Sequence, residues 1–360
     1  MITMTPKTII LLIFFIGLML LPQPSHAQGG DFRFAKRFGG TGGDVGYSLT
    51  VDDSGNIYVT GWFHDTVDFG GGNLTSISSN DSFLAKYTAD GNHIWSKQFA
   101  GEAGTYIYSQ GVDTDNVGNT YITGFFGGTV DFGGGDLTSD QGIFLASYTA
   151  DGTHRWSKRF GPGIATGFSI NVDDSGNLYV TGSFRDTVDF GGGNLTSKST
   201  NGLDILLASY DTYGNHRWSK GFGGTGGTGY SVDVDGVGNV YLTGDFRGTI
   251  NFGGDDLIDT STGTYTRIYG SSMLVSFDTQ GNHRWSKGFG AGRGTNVIVD
   301  GNDNIYLTGN LGGTVDFGGG NMTSAGEEDG FLASYTANGT LSNSRFGNFA
   351  GIQPLFALVY

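Results

Sequence analysis

Cysteine is absent from the 360 residues. That excludes disulfide staples, thiol nucleophiles, Cys-ligated metals and a lipobox-type lipid anchor. The fold must therefore rest on burial alone, which a chain of this length can supply. Proline is sparse, at 5 residues, and glutamate is confined to Glu102, Glu327 and Glu328, in irregular stretches between strand-like runs. Basic side chains are outnumbered, with 19 Lys and Arg against 34 Asp and Glu and a formal charge of −15. So acidic a surface repels phosphate backbones and anionic membranes, which argues against nucleic acid as a partner and for solubility as the meaning of the charge. Helical periodicity is missing after the first 27 residues, and so is any later apolar run long enough to span a bilayer.

One apolar run does occur, at the start. Lys7 precedes Ile9 to Leu21, and Ser25-His26-Ala27 follows as a small-x-small site. This is the pattern of a secretory signal peptide over residues 1–27. A membrane anchor is the competing reading, against which stands a run shorter than the ~20 residues that a spanning helix needs. The expectation is export, with residues 28–360 as the mature chain, secreted, periplasmic or at the cell surface, and not inserted in a membrane.

What the chain has in excess is glycine, 67 residues, placed at fixed points of a repeat. Val51 to Gly61 reads V-D-D-S-G-N-I-Y-V-T-G, and relatives of it run from Thr114 to Gly124, Val172 to Gly182, Val234 to Gly244 and Val299 to Gly309. Such self-similarity decides a fold class before any single residue does. Within a unit, Tyr47 to Val51 alternates and Ile57 to Thr60 is a β-branched and aromatic run, reading as strands A and B joined by a hairpin turn. Asp52 can cap that turn and Gly55 can take a positive φ; Asp303 replaces the glycine in the fifth unit and tolerates the same region. Thr66 to Gly72 and its relatives read as a short extended segment and a glycine turn leading to strand C, Ser82 to Tyr87. A second turn, Ala89 to Asn92, leads to strand D with Trp95.

Four short antiparallel strands in each unit of roughly 60 residues indicate an all-β fold, a β-propeller of five four-stranded repeats. A β-solenoid is the alternative architecture, with shorter coils and fewer hairpins. The units lie roughly at 41–99, 100–160, 161–222, 223–289 and 290–346, with a partial sixth at 347–360. Phe34 to Gly40 matches the phrase that closes each unit, so the mature chain reads as starting with the last strand of a repeat. At the other end Leu341 to Phe346 is the fifth unit's own D strand, with Asn343 where the Trp belongs, and Leu355 to Tyr360 aligns with strand A. A five-bladed ring with surplus ends and a six-bladed ring with an incomplete last blade both fit.

The combination of D-x-x-G-N-x-Y-V-T-G, D-F-G-G-G and W-S-K-x-F-G-G resembles the SBBP class of β-propeller repeats over essentially all of the mature chain. The resemblance implies an exported bacterial or archaeal propeller with no common enzymatic activity, in a family named for seven blades. Ala89 to Trp95 is also similar to the A-x-D-x-G-x-x-W theme of quinoprotein-type and outer-membrane assembly propellers. That likeness implies that Trp95, Trp156, Trp218 and Trp285 pack between blades, and it brings no cofactor with it.

No residue set reads as an active site, and no catalytic, cofactor-binding or metal-binding residue is assigned. His93, His154, His216 and His283 fall at one repeat position after the C–D turn, which points to a turn role; His64 stands apart without a Ser or Asp motif beside it. The Asp column of the A–B turn could bind calcium, but it lacks the alternating ligands and distal Glu of an EF-hand-like loop, so turn stabilisation is the plainer reading. Phe38 to Gly43 and Phe222 to Gly227 resemble phosphate cradles, yet no Gly-Lys-Ser/Thr follows, and they read as D–A connections. Two inserts, Asp259 to Ser272 with Tyr265, Arg267 and Tyr269, and Gly101 to Tyr108 with Tyr106 and Tyr108, carry aromatics that either face a ligand from loops or pack on the next blade. The function expected is a secreted, non-enzymatic scaffold for a protein or glycan partner, with no cofactor. The alternative is a polysaccharide hydrolase or lyase whose acids meet near the central channel.

Overall fold

The computed structural model describes residues 33–161, 163–199, 202–261 and 270–347. The leader, the insert tyrosines Tyr265 and Tyr269 with Arg267, and the sixth A-strand phrase at Leu355 to Tyr360 lie outside them. Among the described residues the chain forms strands and turns only, and no helix is long and apolar enough to cross a membrane.

Each of the five repeats is a four-stranded antiparallel meander, as the turn chemistry predicts. The A strands are Asp44–Val51, Tyr106–Thr114, Ile164–Val172 and Gly226–Val234, with the fifth contained in His283–Val299. The last of these runs on without a break from the fourth unit's D strand, so two units share one seven-stranded sheet. The B strands are Ile57–Phe63, Thr120–Asp131, Leu178–Arg185, Val240–Arg247 and Asn304–Leu311, and each pairs with A on one side and C on the other. Their apolar residues on both faces are explained by sheets stacked on sheets.

The segment between B and C is more structured than an extended connection. It is a hairpin of its own, Thr66–Asp68 paired with Asn73–Thr75 in the first unit, and in the second unit it merges into the B and C strands. Its Val67 and Phe69 are buried, and its tip is set by Asp68, whose Oδ1 accepts from the N–H groups of Gly70 and Gly72 at 2.7 and 3.0 Å. The His column packs here. The His93 ring fills the space in which a side chain at Gly71 would stand and meets Tyr87 edge-on, and His154, His216 and His283 repeat the arrangement.

The A–B turn is the same in all five units. Asp52 accepts from the backbone N–H and side-chain amide of Asn56 and from the hydroxyl of Tyr58, and Asp115, Asp173, Asp235 and Asp300 do likewise. The fourth turn residue has positive φ, 78° to 84° for the glycines of units two to four and 60° for Asp303. A side chain in that region costs about 1 kcal/mol, so Asp303→Gly should raise stability by roughly 0.5–1 kcal/mol, read as a higher urea midpoint at unchanged slope.

Units are joined by the residues that the repeat keeps. Trp95 Nε1 donates to the Ala150 carbonyl in the next C–D turn at 3.1 Å, and Trp156, Trp218 and Trp285 reach Thr212, Thr279 and Ala337 in the same way. The D-strand phenylalanine inserts into the following unit's core, Phe99 lying 5.5 Å from Phe132 and 5.6 Å from Tyr148. Phe38 makes the same contacts with Phe69 and Tyr87, at 5.5 and 5.3 Å. The expected strand at Phe34 to Gly40 is nevertheless not formed. The C strand of the fifth unit, Asp329–Thr336, is already paired with Leu341–Gly347, which leaves that phrase no ladder to join.

Two faces of the array stay open. The C-strand leucine is buried by the next unit at Leu84, Leu145, Leu207 and Leu274, at no more than 1% exposure, but is 41% exposed at Leu332. At the other end Leu49 is 39% exposed, whereas its equivalents Val112, Ile170, Val232 and Val297 are at 5% or less.

Candidate binding channel

The five A strands line one cavity of about 400 Å³. What each strand presents to it is set by a β-bulge. The A–B register slips at Gly46/Ser48, Ser109/Gly111, Gly167/Ser169, Gly229/Ser231 and Gly294/Asn296, leaving one unpaired residue per unit: Tyr47, Gln110, Phe168, Tyr230 and Thr295. All five line the cavity and keep solvent contact. A bulge bends its strand and re-aims a side chain, and here it does so at the same place in every unit.

The Thr-Gly mark of the sequence is the counterpart of that bulge. Opposite it lies Gly61, Gly124, Gly182, Gly244 or Gly309, and a Cβ there would sit inside the carbonyl oxygen of Val45, Tyr108, Thr166, Thr228 or Arg293. The preceding threonine, Thr60 and its equivalents, donates its hydroxyl to a C-strand carbonyl, at 2.6 Å to Phe83 in the first unit. A pair that served as a spacing signal thus allows the innermost strand to approach its neighbour.

Three residues further along, a polar belt ties neighbouring A strands together: Thr50, Asp113, Asn171 and Asp233, with Ile298 in the fifth place. Thr50 donates to Asp113 Oδ1 at 2.8 Å, and Asp113 Oδ2 accepts from the Val172 N–H at 2.8 Å. Asn171 Nδ2 donates to Asp233 Oδ1 at 2.7 Å, and Asp233 Oδ2 accepts from the Val299 N–H at 2.6 Å. Burial pushes Asp113 up to about 6 against the retained pull of these donors, and burial together with the Asp113 charge pushes Asp233 up to about 7. Nothing in the repeat marks these acids. Position 50 and its equivalents vary from unit to unit, and only the packing of successive units brings Asp113 and Asp233, in alternate units, to one wall.

Other residues singled out in the sequence sit elsewhere. Tyr106 and Tyr108 belong to the A strand and not to a loop, half-buried against Phe125, with Tyr108 stacked on it at 5.0 Å. Their strand placement follows from the A strand starting earlier than the alternation alone indicates. His64 is exposed, with Nδ1 2.7 Å from the Ser79 carbonyl and Nε2 3.4 Å from Asp65. Burial holds His154, His216 and His283 below the usual histidine range. Glu328 accepts from Asn310 Nδ2 at 3.1 Å. In the Asp52 column the carboxylate oxygens serve their own turn, and among the described residues no three His, Asp or Glu side chains come together as a metal cage.

Two comparisons bear on identity. The chain aligns with an uncharacterized WD repeat-containing protein of Acanthamoeba polyphaga mimivirus at 24% identity over 269 residues, taking in 61% of this chain. It spans only 19% of that relative's length. The SBBP β-propeller repeat matches residues 33–62 and 94–124. The second match begins in the first unit's D strand and ends at the glycine facing the second unit's bulge, so it covers the elements that build the channel wall. The chain thus carries SBBP β-propeller repeats, matched at two places, in an array of five four-stranded meanders whose A strands line one channel.

Proposed function

We propose that this propeller is an exported, non-enzymatic binding scaffold whose ligand, a protein or a glycan, is engaged at the end of the channel where the A strands begin. The observation that carries this reading is the bulge column: one backbone geometry repeated five times, bearing Tyr, Gln, Phe, Tyr and Thr in turn. A constant frame with varied side chains is how rigid scaffolds present recognition surfaces. The leader pattern of residues 1–27 supports export, and the likeness to a WD repeat-containing protein supports a repeat scaffold.

The hydrolase reading has one observation in its favour, the raised acids Asp113 and Asp233 beside a cavity. Against it, both side chains spend their oxygens on neighbouring strands, accepting from Thr50, Asn171 and the backbone N–H groups of Val172 and Val299. Groups so committed hold a wall together and are poorly placed to protonate a leaving group. Digests of a polysaccharide panel by the purified chain separate the two readings. No release of reducing ends is expected; release that disappears in Asp113→Asn or Asp233→Asn overturns the scaffold reading.

A further inference from the structure

The aromatic side chains around the channel mouth break the repeat. At the cross-strand pair just outside the bulge, units three to five carry Thr166/Ser183, Thr228/Asp245 and Arg293/Asn310. The first two carry Val45/Trp62 and Tyr108/Phe125. Trp62 meets Tyr108 edge-on at 5.8 Å, Tyr108 stacks on Phe125, and Trp62 Nε1 donates to the Tyr47 hydroxyl at 3.3 Å. The strip therefore leads from the outer surface to Tyr47 at the cavity. Across the mouth Phe168 and Tyr230 pack at 5.5 Å, completing an aromatic collar of half-exposed rings above the polar belt. A fold that needed these rings only for packing would repeat them in each unit, as it repeats Tyr58 and Trp95.

The chemistry of the walls narrows the ligand. An anion is disfavoured by Asp113, Asp233 and the net charge of −15. A cation finds the collar already served, because Arg293 lies over the Tyr230 ring at 5.0 Å, and the belt carboxylates are satisfied by backbone and side-chain donors. A purely apolar ligand would take the Gln110 amide out of water without offering it a hydrogen bond. What suits a collar of ring faces over a belt of hydroxyl, amide and carboxylate groups is a molecule with apolar C–H faces and a polar edge. Gln110, left out of the A–B ladder by its bulge and in contact with solvent, offers an amide beside the collar. The cavity, about 400 Å³, falls within the roughly 300–1,000 Å³ of small-molecule sites.

We propose that the mouth of the channel is a carbohydrate-binding site, in which a neutral pyranose stacks on Tyr47 and Phe168 with its hydroxyls toward Gln110, and in which the Trp62–Tyr108–Phe125 strip carries the next sugars of the chain. The proposal rests on the scaffold reading and gives it a ligand class. The test is affinity electrophoresis and calorimetry of the mature chain with soluble neutral polysaccharides and their oligosaccharides, with reducing ends assayed in parallel. Retardation by at least one neutral glycan is expected, weakened tenfold or more in Tyr47→Ala and in Phe168→Ala, with thermal unfolding still cooperative. Tyr213→Ala removes a 68% exposed aromatic from a C–D turn, at the opposite end of the units, and should bind as the wild type does. Binding equal in all four proteins, or no binding to any neutral glycan, overturns the carbohydrate site and leaves the scaffold standing. Release of reducing ends overturns the scaffold reading itself.

Discussion

Gly182→Ala should cost at least ~3 kcal/mol and is expected to leave a chain without a cooperative unfolding transition. The Cβ of alanine would fall inside the Thr166 carbonyl oxygen, on the neighbouring A strand, where both partners are backbone and neither can rotate away. Relief would require the Gly167/Ser169 bulge to be undone. That would slide Phe168 out of the channel and move Ile170, which is 5% exposed, toward the other face of its strand. Gly236→Ala is the matched control. It lies in an A–B turn with open space around its Cα, and it should change stability by no more than about 0.5 kcal/mol. Far-ultraviolet circular dichroism through a thermal ramp checks both. A normal transition in Gly182→Ala would mean that the bulge does not govern the channel wall.

The protein should be most stable near pH 4–5 and lose on the order of 2 kcal/mol between pH 5 and pH 8, allowing for the solvent contact that both channel acids keep. The sign follows from where the protons sit. Asp113 and Asp233 are raised to about 6 and about 7 in the folded state, so the folded chain binds protons that the unfolded chain releases. Their contribution is full below the unfolded value of 3.8 and is lost as pH rises through 6 and 7. The opposite limb belongs to the turn acids. Asp68 and Asp131 are lowered by backbone donors at their glycine tips and Asp300 by Asn304, so their contribution disappears as pH falls below the ordinary carboxylate range. Melting temperatures across pH 3–9 should trace a dome, falling by several degrees from pH 5 to pH 8. In Asp233→Asn the alkaline fall should shrink by about half or more, since the larger of the two shifts is removed. An unchanged slope in that variant would place the titration elsewhere.

The repeat made most of the architecture legible. Asp52, Gly55 and Asn56 announce a hairpin because their side chains and backbone preferences act within five residues, and all five turns fold as that chemistry dictates. Asp303, the one departure, adopts the conformation that its substitution for glycine implies. The Trp column packs between units as the likeness to other propellers implied. The B–C hairpin was less visible, since three-residue strands such as Thr66–Asp68 are too short for alternation to show. Tyr106 and Tyr108 looked like loop residues because the insert before them blurs the start of their strand. Phe34 to Gly40 carries the letters of a D strand but forms none, because strand formation depends on a free partner and not only on local pattern.

The sequence by itself determined the class of fold, the number of complete units, the A to D strands of each and the A–B and C–D turns, because period-two alternation and turn residues act over a few positions. It also placed the Asp and His columns in architecture, since repetition at one position marks a structural need. Only the tertiary structure decided what lines the channel. A bulge adds one residue to a strand without disturbing its composition, so Tyr47 and its equivalents could not be told from their neighbours until the A–B register was known. Asp113 and Asp233 stand about 120 residues apart in the chain and reach one wall only when alternate units are packed around an axis. Their shifted protons, the aromatic collar above them and the glycines that make room for both follow from that packing, which no local pattern encodes.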